Sequence, residues 1–293
     1  MDEAHEEAEE DVTGLESIGE KVAEELTGGA DPIPEDKDTV DVLLLGVDSR
    51  SNNFAGRSDV MLLIRVNTRT GSIKMVSFMR DLLVNIPGHG KNRINTAYMY
   101  GGPDLALQVV NETFGLRVKY YMLFNFYGTT SIIDMMGGVT VDIASNEIAT
   151  TNQIIDELNG IFKSDSPRLR KAGPQRLDGV QATAYMRNRK SGTDSARTGR
   201  QRTVLMALLR SLGGVELTRL PGLVDTGVNY LRTNIPLVDL PGYATTLMGM
   251  SDAQVGQMVV PEPYKNVNYN DMAVVIMEDP EAEISELHAF LLD

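Results

Sequence analysis

Three apolar runs lie close together in the first third of the chain, and they limit the fold more than any other feature. The first, VDVLLLGV at residues 40–47, is almost continuously apolar, which is typical of a strand buried on both faces. A second run begins after Asp59, and a turn at residues 67–71 leads into a third run that ends at Arg80. The pattern predicts three successive strands of one sheet.

The charged residues at the ends of these runs are expected to meet. If successive strands pair antiparallel, the first leaves the sheet at Asp48, the second enters at Asp59 and the third leaves at Arg80. All three residues then lie at the same edge of the sheet. A parallel pairing of the first two strands would need a crossover of about a dozen or more residues, and the loop after Asp48 is shorter.

The rest of the chain alternates between helix-like and strand-like segments. The pattern predicts helices at 103–113, 127–136, 177–187 and 196–212, strands at 120–124 and 139–143, and two further helices and a strand in the C-terminal third. Residues 144–176 are polar with few apolar positions and are predicted to form an insertion or a long loop. Such alternation favours an α/β fold, a three-layer α/β/α sandwich around a mixed central β-sheet.

The chain has 293 residues and a formal net charge of −14, but this charge is unevenly distributed. Residues 1–41 hold 16 acidic and two basic side chains, which account for the whole net charge. We therefore predict an acidic flexible arm and linker over residues 1–39 and a single domain over residues 40–293. Residues 163–202 carry 11 Lys and Arg against three Asp, so an anion site is compatible with the acidic total.

Composition excludes several classes of function. The chain has no Cys, which excludes disulfides, thiolate nucleophiles and cysteine zinc sites, and its three His residues lack metal-ligand spacing. The sequence contains neither a P-loop nor a GxGxxG motif, and no apolar run has the length of a membrane span. Nucleic-acid binding is disfavoured because that function needs a solvent-facing basic surface.

The predicted helix at 196–212 carries polar side chains on its apolar face. Stepping back by three and four residues from Val204 reaches Gln201 and Arg200, and a second such step reaches Arg197. Because a buried arginine without a partner is costly, an anionic ligand explains this pattern most simply. A purely structural ion-pair network, with Asp194 as one partner, is the alternative.

More arginines and two carboxylates join this set. Arg187 ends the preceding predicted helix and Arg189 lies beyond it, and together with Arg80 they complete five arginines that suit bidentate binding of phosphate oxygens. Asp48 and Asp59 are oxygen ligands of the kind that Mg²⁺ prefers. The combination predicts magnesium-assisted phosphoryl transfer.

Four motifs occur in a fixed order along residues 40–212. They are VLLLGVDSR, GRSDVMLL, SFMRDLLVNIPG with KNRINTAY, and RLDGVQATAYMRNRK followed by DSARTGRQR. In this order and at these separations they resemble the LytR-CpsA-Psr family of Gram-positive cell-envelope proteins. Many members read Pro-Arg-Asp-Thr where this chain has Met79-Arg80-Asp81-Leu82, which removes a hydroxyl. Residues 213–293 are expected to form a C-terminal helical and strand part of the same domain.

The resemblance implies a transferase on the extracytoplasmic face of the membrane of a Gram-positive-type bacterium. It would move a glycopolymer, of the teichoic acid or capsular type, from an undecaprenyl-pyrophosphate carrier onto peptidoglycan, and polyprenyl-pyrophosphate pyrophosphatase activity would accompany it. Members usually begin with a membrane helix, so the resemblance places a membrane anchor upstream of this sequence. The alternative is a non-catalytic, regulatory binder of polyprenyl phosphate or anionic wall polymers.

The resemblance also implies roles for individual residues. Asp48 and Asp59 would hold Mg²⁺. The pyrophosphate would be bound by Arg57, Arg80, Arg187, Arg189, Arg197, Arg200 and Gln201. Apart from the resemblance, we expect Arg80, Asp59 and Asp81 to be catalytic, with Asp81 acting as the base or orienting Arg80.

Overall fold

The computed structural model describes residues 31–47, 54–188, 194–212, 231–248 and 255–293. In chain order the strands are β1 Thr39–Val47, β2 Ser58–Asn67, β3 Ile73–Phe78, β4 Leu83–Ile86, β5 Gly90–Arg93, β6 Tyr120–Asn125, β7 Val139–Ile143, β8 Gly173–Leu177, β9 Leu231–Thr233, β10 Val255–Val260, β11 Tyr264–Tyr269 and β12 Met272–Met277. The helices are α1 Thr96–Phe114, α2 Phe126–Met135, α3 Ser145–Phe162, α4 Gly179–Arg187, α5 Asp194–Leu212, α6 Leu240–Met248 and α7 Pro280–Leu292.

The central sheet has the strand order β10-β3-β2-β1-β6-β9 and is mixed. β1, β2 and β3 pair antiparallel, as the three apolar runs predict, and Val47 at the end of β1 lies opposite Ser58 at the start of β2. β6 runs parallel to β1, and β10 runs parallel to β3. The end of β1 and the start of β2 therefore share one edge of the sheet, and Asp48 itself lies outside the described residues.

Side chains of the central strands alternate between two cores. On one face Leu43, Leu63 and Phe78 pack with apolar residues of α1 and α7. On the other face Leu44 and Leu62 pack with apolar residues that include those of α5. Helices thus cover both faces, which confirms the three-layer α/β/α sandwich.

The prediction of a long loop over residues 144–176 is wrong. This segment forms α3 and then β8, which pairs antiparallel with β7. α3 is mostly polar because one narrow stripe is sufficient to pack it, and Ile155 and Leu158 on that stripe are fully buried. An α3 carboxylate, Glu147, accepts the backbone N–H of Ala144 and closes the start of the helix.

Other differences concern helix boundaries and the C-terminal third. The helix predicted from residue 103 is the second part of α1, which begins at Thr96. Gly101 and Gly102 have non-helical backbone angles, and the helix resumes at Pro103. The first of the two helices predicted in the C-terminal third spans residues 221–235. Its first part lies outside the described residues, and Leu231–Thr233 forms strand β9. Among the described residues this third of the chain also contains β11 and β12, which pair with each other and were not predicted.

Gly179, the first residue of α4, packs directly against α2. Its backbone N–H donates to Asp134 Oδ1 at 2.7 Å, and a Cβ atom there would overlap the Thr130 carbonyl oxygen. We expect Gly179→Ala to lower the free energy of unfolding by about 1–3 kcal/mol, the usual cost of overpacking. Urea denaturation measures this change. The matched control is Gly160→Ala in α3, where an added Cβ meets nothing within 4 Å, and this variant should be as stable as the parent or more so.

Candidate active site

A cavity of about 370 Å³ lies between the central sheet and the helices α2, α5 and α6. Its wall is largely apolar because β1, β2 and β6 turn alternate aliphatic side chains toward it. Five methionines contribute to this wall, namely Met61, Met122, Met135, Met136 and Met186. The shape and chemistry suit a hydrocarbon chain.

Several polar side chains lie in the cavity wall. Asp59 and Arg80 come from the sheet edge where β2 begins and β3 has ended, and Arg197 and Gln201 come from the first turns of α5. Arg197 is buried. An apolar cavity with arginine in its wall fits an amphipathic ligand that carries an anion.

Arg80 is held between two carboxylates. Its Nη1 donates to Asp59 Oδ1 at 2.8 Å, and its Nε donates to Asp81 Oδ2 at 3.1 Å. Asp81 also lies 3.4 Å from the Nε of Arg93, a residue of β5 that donates to the carbonyl oxygen of Ala273. About a fifth of the Arg80 side chain is exposed, so this arginine is both oriented and accessible. The contact between Arg80 and Asp59 confirms that the ends of β2 and β3 meet.

Arg200 is buried as predicted, but its contacts point to α3 and the end of α4. Its Nη1 donates to Glu147 Oε1 at 3.1 Å, and its Nη2 donates to the Asn188 carbonyl oxygen. Burial, together with the nearby Glu147 carboxylate, raises the pKa of Tyr185 to about 12. Arg200 therefore belongs to a buried internal network.

Helix geometry explains why Arg200 and Gln201 differ. Each residue advances about 100° around a helix, so Gln201 lies within about 40° of Arg197, whereas Arg200 lies about 60° away on the other side. Arg197 and Gln201 both line the cavity, while Arg200 meets Glu147 of α3. The partner considered from the sequence was Asp194, but the described carboxylate beside Arg200 comes from a segment that sequence patterns assigned to a loop.

The remaining predicted site residues are distributed as follows. Arg57 is exposed just before β2, and Arg187 lies 3.6 Å from Glu157 of α3. Asp48 and Arg189 lie outside the described residues. The structure adds Arg93 to the residues around Arg80 and Asp81. Its position in the KNRINTAY motif is the sequence feature that could have identified it.

Within residues 31–47, 54–188, 194–212, 231–248 and 255–293, no group of three or more His, Asp or Glu side chains is placed to hold a metal ion. In the same part of the chain, no helix combines the length and apolar character needed to cross a membrane.

The amino-acid sequence matches the model of the LytR_cpsA_psr family over residues 3–288. The chain belongs to the LytR_cpsA_psr family. The match extends beyond the four motifs, from close to the start of the chain to α7. This confirms the family that the motifs indicated.

Relatives of this LytR_cpsA_psr chain include proteins with named activities. The "Polyisoprenyl-teichoic acid--peptidoglycan teichoic acid transferase TagU" of Oceanobacillus iheyensis is 35% identical over 224 residues, which are 73% of this chain and 65% of the relative. The chain thus spans just under two thirds of the length of this relative.

Solved structures of the family share the fold. The structure described as "TagT bound to LIIa-WTA" has a TM-score of 0.71 and 28% identity and covers 90% of this chain and 94% of its own. The "LytR-CPS2A-psr family protein YwtF (TagT) with bound octaprenyl pyrophosphate lipid" has a TM-score of 0.67 and 26% identity, with the same coverage. Both likenesses extend over nine tenths of this LytR_cpsA_psr chain.

Proposed function

We propose that this domain transfers a phosphate-linked glycopolymer, of the teichoic acid or capsular type, from an undecaprenyl-pyrophosphate carrier to peptidoglycan. The observation that carries the proposal is a single apolar cavity with Asp59, Arg80, Arg197 and Gln201 in its wall. A prenyl chain matches the apolar wall, and a pyrophosphate matches the arginines. The reaction would take place at the extracytoplasmic face of the membrane.

In the proposed reaction an acceptor hydroxyl oxygen of peptidoglycan attacks the phosphorus that is bonded to the glycopolymer. The bond between this phosphorus and the bridging oxygen of the pyrophosphate breaks, and polyprenyl monophosphate leaves with the bonding electrons. The hydroxyl proton passes to a base or to water. Arg80 and Arg197 would neutralise the charge that develops on the phosphate oxygens, which is the main source of catalysis in phosphoryl transfer.

We assign Asp81 the orientation of Arg80. The Asp81 carboxylate accepts from Arg80 Nε through Oδ2, and its Oδ1 lies 3.4 Å from Arg93 Nε, so each of its oxygens faces an arginine. A base needs an oxygen that the attacking hydroxyl group can reach. The adjacent arginines therefore favour the positioning role over the catalytic base.

We also propose Mg²⁺ as the cofactor, with Asp48 and Asp59 as ligands. Asp59 fits this role because its carboxylate lies in the cavity wall beside Arg80, and carboxylate oxygens are the ligands that Mg²⁺ prefers. Asp48 follows β1, whose last residue pairs with Ser58 directly before Asp59. When bound, the ion would supply positive charge to the pyrophosphate. The protein side chains would orient the carrier around it.

The test of this function uses the purified chain, a polyprenyl-pyrophosphate-linked glycopolymer and peptidoglycan, with Mg²⁺ or with EDTA. We expect polyprenyl monophosphate and peptidoglycan-linked polymer to appear together, and only when Mg²⁺ is present. Release of the monophosphate without linked polymer would indicate pyrophosphatase activity alone. Carrier that stays bound and intact would contradict catalysis and support the non-catalytic binder.

Filling the cavity should separate lipid binding from phosphate binding. Leu205 lines the cavity, so Leu205→Trp is expected to weaken binding of a long-chain polyprenyl pyrophosphate by about tenfold or more, because one excluded isoprene unit removes several buried carbon atoms. Binding of inorganic pyrophosphate should not change. Isothermal titration with both ligands measures this difference.

The control for Leu205→Trp is Thr203→Trp, at an exposed position of the same helix. This variant should bind both ligands as the parent does. An equal loss of lipid and inorganic pyrophosphate binding in Leu205→Trp would show that the tryptophan disturbed the arginines, and would contradict a lipid role for the cavity.

A further inference from the structure

Arg202 is an arginine of the cavity wall for which neither the motifs nor the proposed reaction gives a role. Its Nη1 donates to the carbonyl oxygen of Met258 at a long 3.5 Å, and its Nε is buried without a hydrogen-bond partner in the described part of the chain. Among the described residues no carboxylate forms an ion pair with it. A partly buried guanidinium therefore lies in the wall of an apolar cavity with a buried Nε–H that has no acceptor in the described part of the chain.

Ser77 of β3 is a second polar group in the same wall. It is 2% exposed, and its Oγ has no hydrogen-bond partner among the described residues. Ser77 pairs with Val259 of β10, the residue directly after the Met258 that accepts from Arg202. The Arg202 guanidinium and the Ser77 hydroxyl thus occupy neighbouring positions over the same two strands.

Arg202 Nε and Ser77 Oγ both lack an oxygen acceptor among the described residues. Burial lowers the pKa of Arg202, and the exposed Glu262 carboxylate offsets only part of this effect. An uncompensated charge and an unsatisfied buried hydroxyl each destabilise a folded protein. A phosphate, which has several acceptor oxygens and a negative charge, would satisfy both groups at once.

The position of this pair relative to Arg80 indicates which phosphate it would meet. Ser77 lies opposite Leu62, three residues into β2 from Asp59, which corresponds to about 10 Å along the sheet. The pair is therefore farther into the sheet than the contact between Arg80 and Asp59. In the carrier, the phosphate bonded to the prenyl chain is likewise closer to the hydrocarbon than the phosphate bonded to the polymer.

We propose that Arg202 and Ser77 form a second anion subsite, which binds the phosphate attached to the prenyl chain. This inference rests on the proposed function. The Arg80 set then binds the phosphate that is transferred, whereas the second subsite binds the phosphate that stays on the carrier. Consequently the subsite contacts the product, polyprenyl monophosphate, as well as the substrate.

The test compares Arg202→Met and Ser77→Ala with the parent chain in binding to long-chain polyprenyl monophosphate and to the uncharged polyprenol of the same length. Arg202→Met is expected to bind the monophosphate about 10- to 100-fold more weakly, which corresponds to the loss of charge-assisted hydrogen bonds. Ser77→Ala should show a smaller loss. Neither variant should change polyprenol binding.

A stability measurement separates a ligand-binding role from a structural one. If the role of Arg202 is to bind a ligand, the ligand-free Arg202→Met protein should unfold at the same or a higher urea concentration than the parent. If Arg202 mainly ties α5 to β10, the variant should be less stable and bind the monophosphate normally, which would overturn the inference. Arg210→Met, at an exposed position near the end of α5, is the matched control and should leave binding unchanged.

The parent chain distinguishes the two proposals. Parent protein that binds neither polyprenyl monophosphate nor polyprenyl pyrophosphate would overturn the proposed function and this inference with it. Parent protein that binds both, together with an Arg202→Met variant that binds the monophosphate equally well, would overturn the second subsite alone.

Discussion

Arg80→Ala is expected to reduce polymer transfer by about 10²- to 10³-fold, the usual effect of removing one preorganised donor to a developing oxyanion. Two carboxylates, Asp59 and Asp81, hold the guanidinium in one orientation at the cavity wall. The interaction therefore costs little reorganisation when charge develops on the transferred phosphate. The measurement is kcat/KM for transfer from a lipid-linked donor to peptidoglycan.

Further variants define what Arg80 contributes. Arg80→Lys keeps the charge but loses the planar fork, so it should recover only part of the activity. Arg69→Ala, which removes an exposed arginine paired with Asp38 in the turn after β2, is the control and should transfer at the parent rate. Full activity in a folded Arg80→Ala protein would exclude Arg80 from the reaction.

Glu147→Ala is expected to lower the free energy of unfolding by about 3–5 kcal/mol, the range for breaking one partner of a buried ion pair. The Arg200 side chain is only 4% exposed, so Glu147→Ala removes a charged partner from an arginine that stays buried. The change also removes the acceptor for the Ala144 N–H. Urea denaturation followed by circular dichroism measures the loss.

Control variants distinguish the loss of a buried ion pair from the loss of an exposed one. Arg168→Ala breaks an exposed pair with Asp156 of α3, in which the two side chains are 66% and 44% exposed, and should cost less than about 1 kcal/mol. A double variant with Glu147→Met and Arg200→Leu removes both charges and should recover part of the stability lost in Glu147→Ala. A loss below about 1 kcal/mol in Glu147→Ala would contradict the structural role of this pair.

The sequence was sufficient for the part of the fold that depends on short-range pattern. Three apolar runs with short connections specify antiparallel neighbours, and this parity brings Asp59 to Arg80 without any other information. The phase of α5 likewise indicates that Arg197 and Arg200 are buried. In each case, residues within a few turns or one hairpin determine the outcome.

The rest of the site depends on contacts between distant segments. Arg200 and Glu147 are 53 residues apart, and α3 carries too narrow an apolar stripe to be recognised as a helix from composition. A helix face can be predicted as buried, but the element that covers it cannot, so a ligand-binding and a structural arginine look alike in sequence. Arg202 illustrates the opposite case. In the sequence it is one of several basic residues, and only its contact with β10 in the structure sets it apart.

The methionines of the cavity wall bear on which carriers the domain accepts. Five of the chain's 15 methionines line the cavity, and each has an unbranched side chain with three rotatable bonds that can fill gaps of irregular shape. Such a wall can repack around hydrocarbon chains that differ in length or in double-bond geometry. In the proposed function the prenyl tail of the carrier would then contribute affinity with little discrimination between lipids. Selectivity would depend on the polar groups of the cavity and, above all, on the number of phosphates that they can bind.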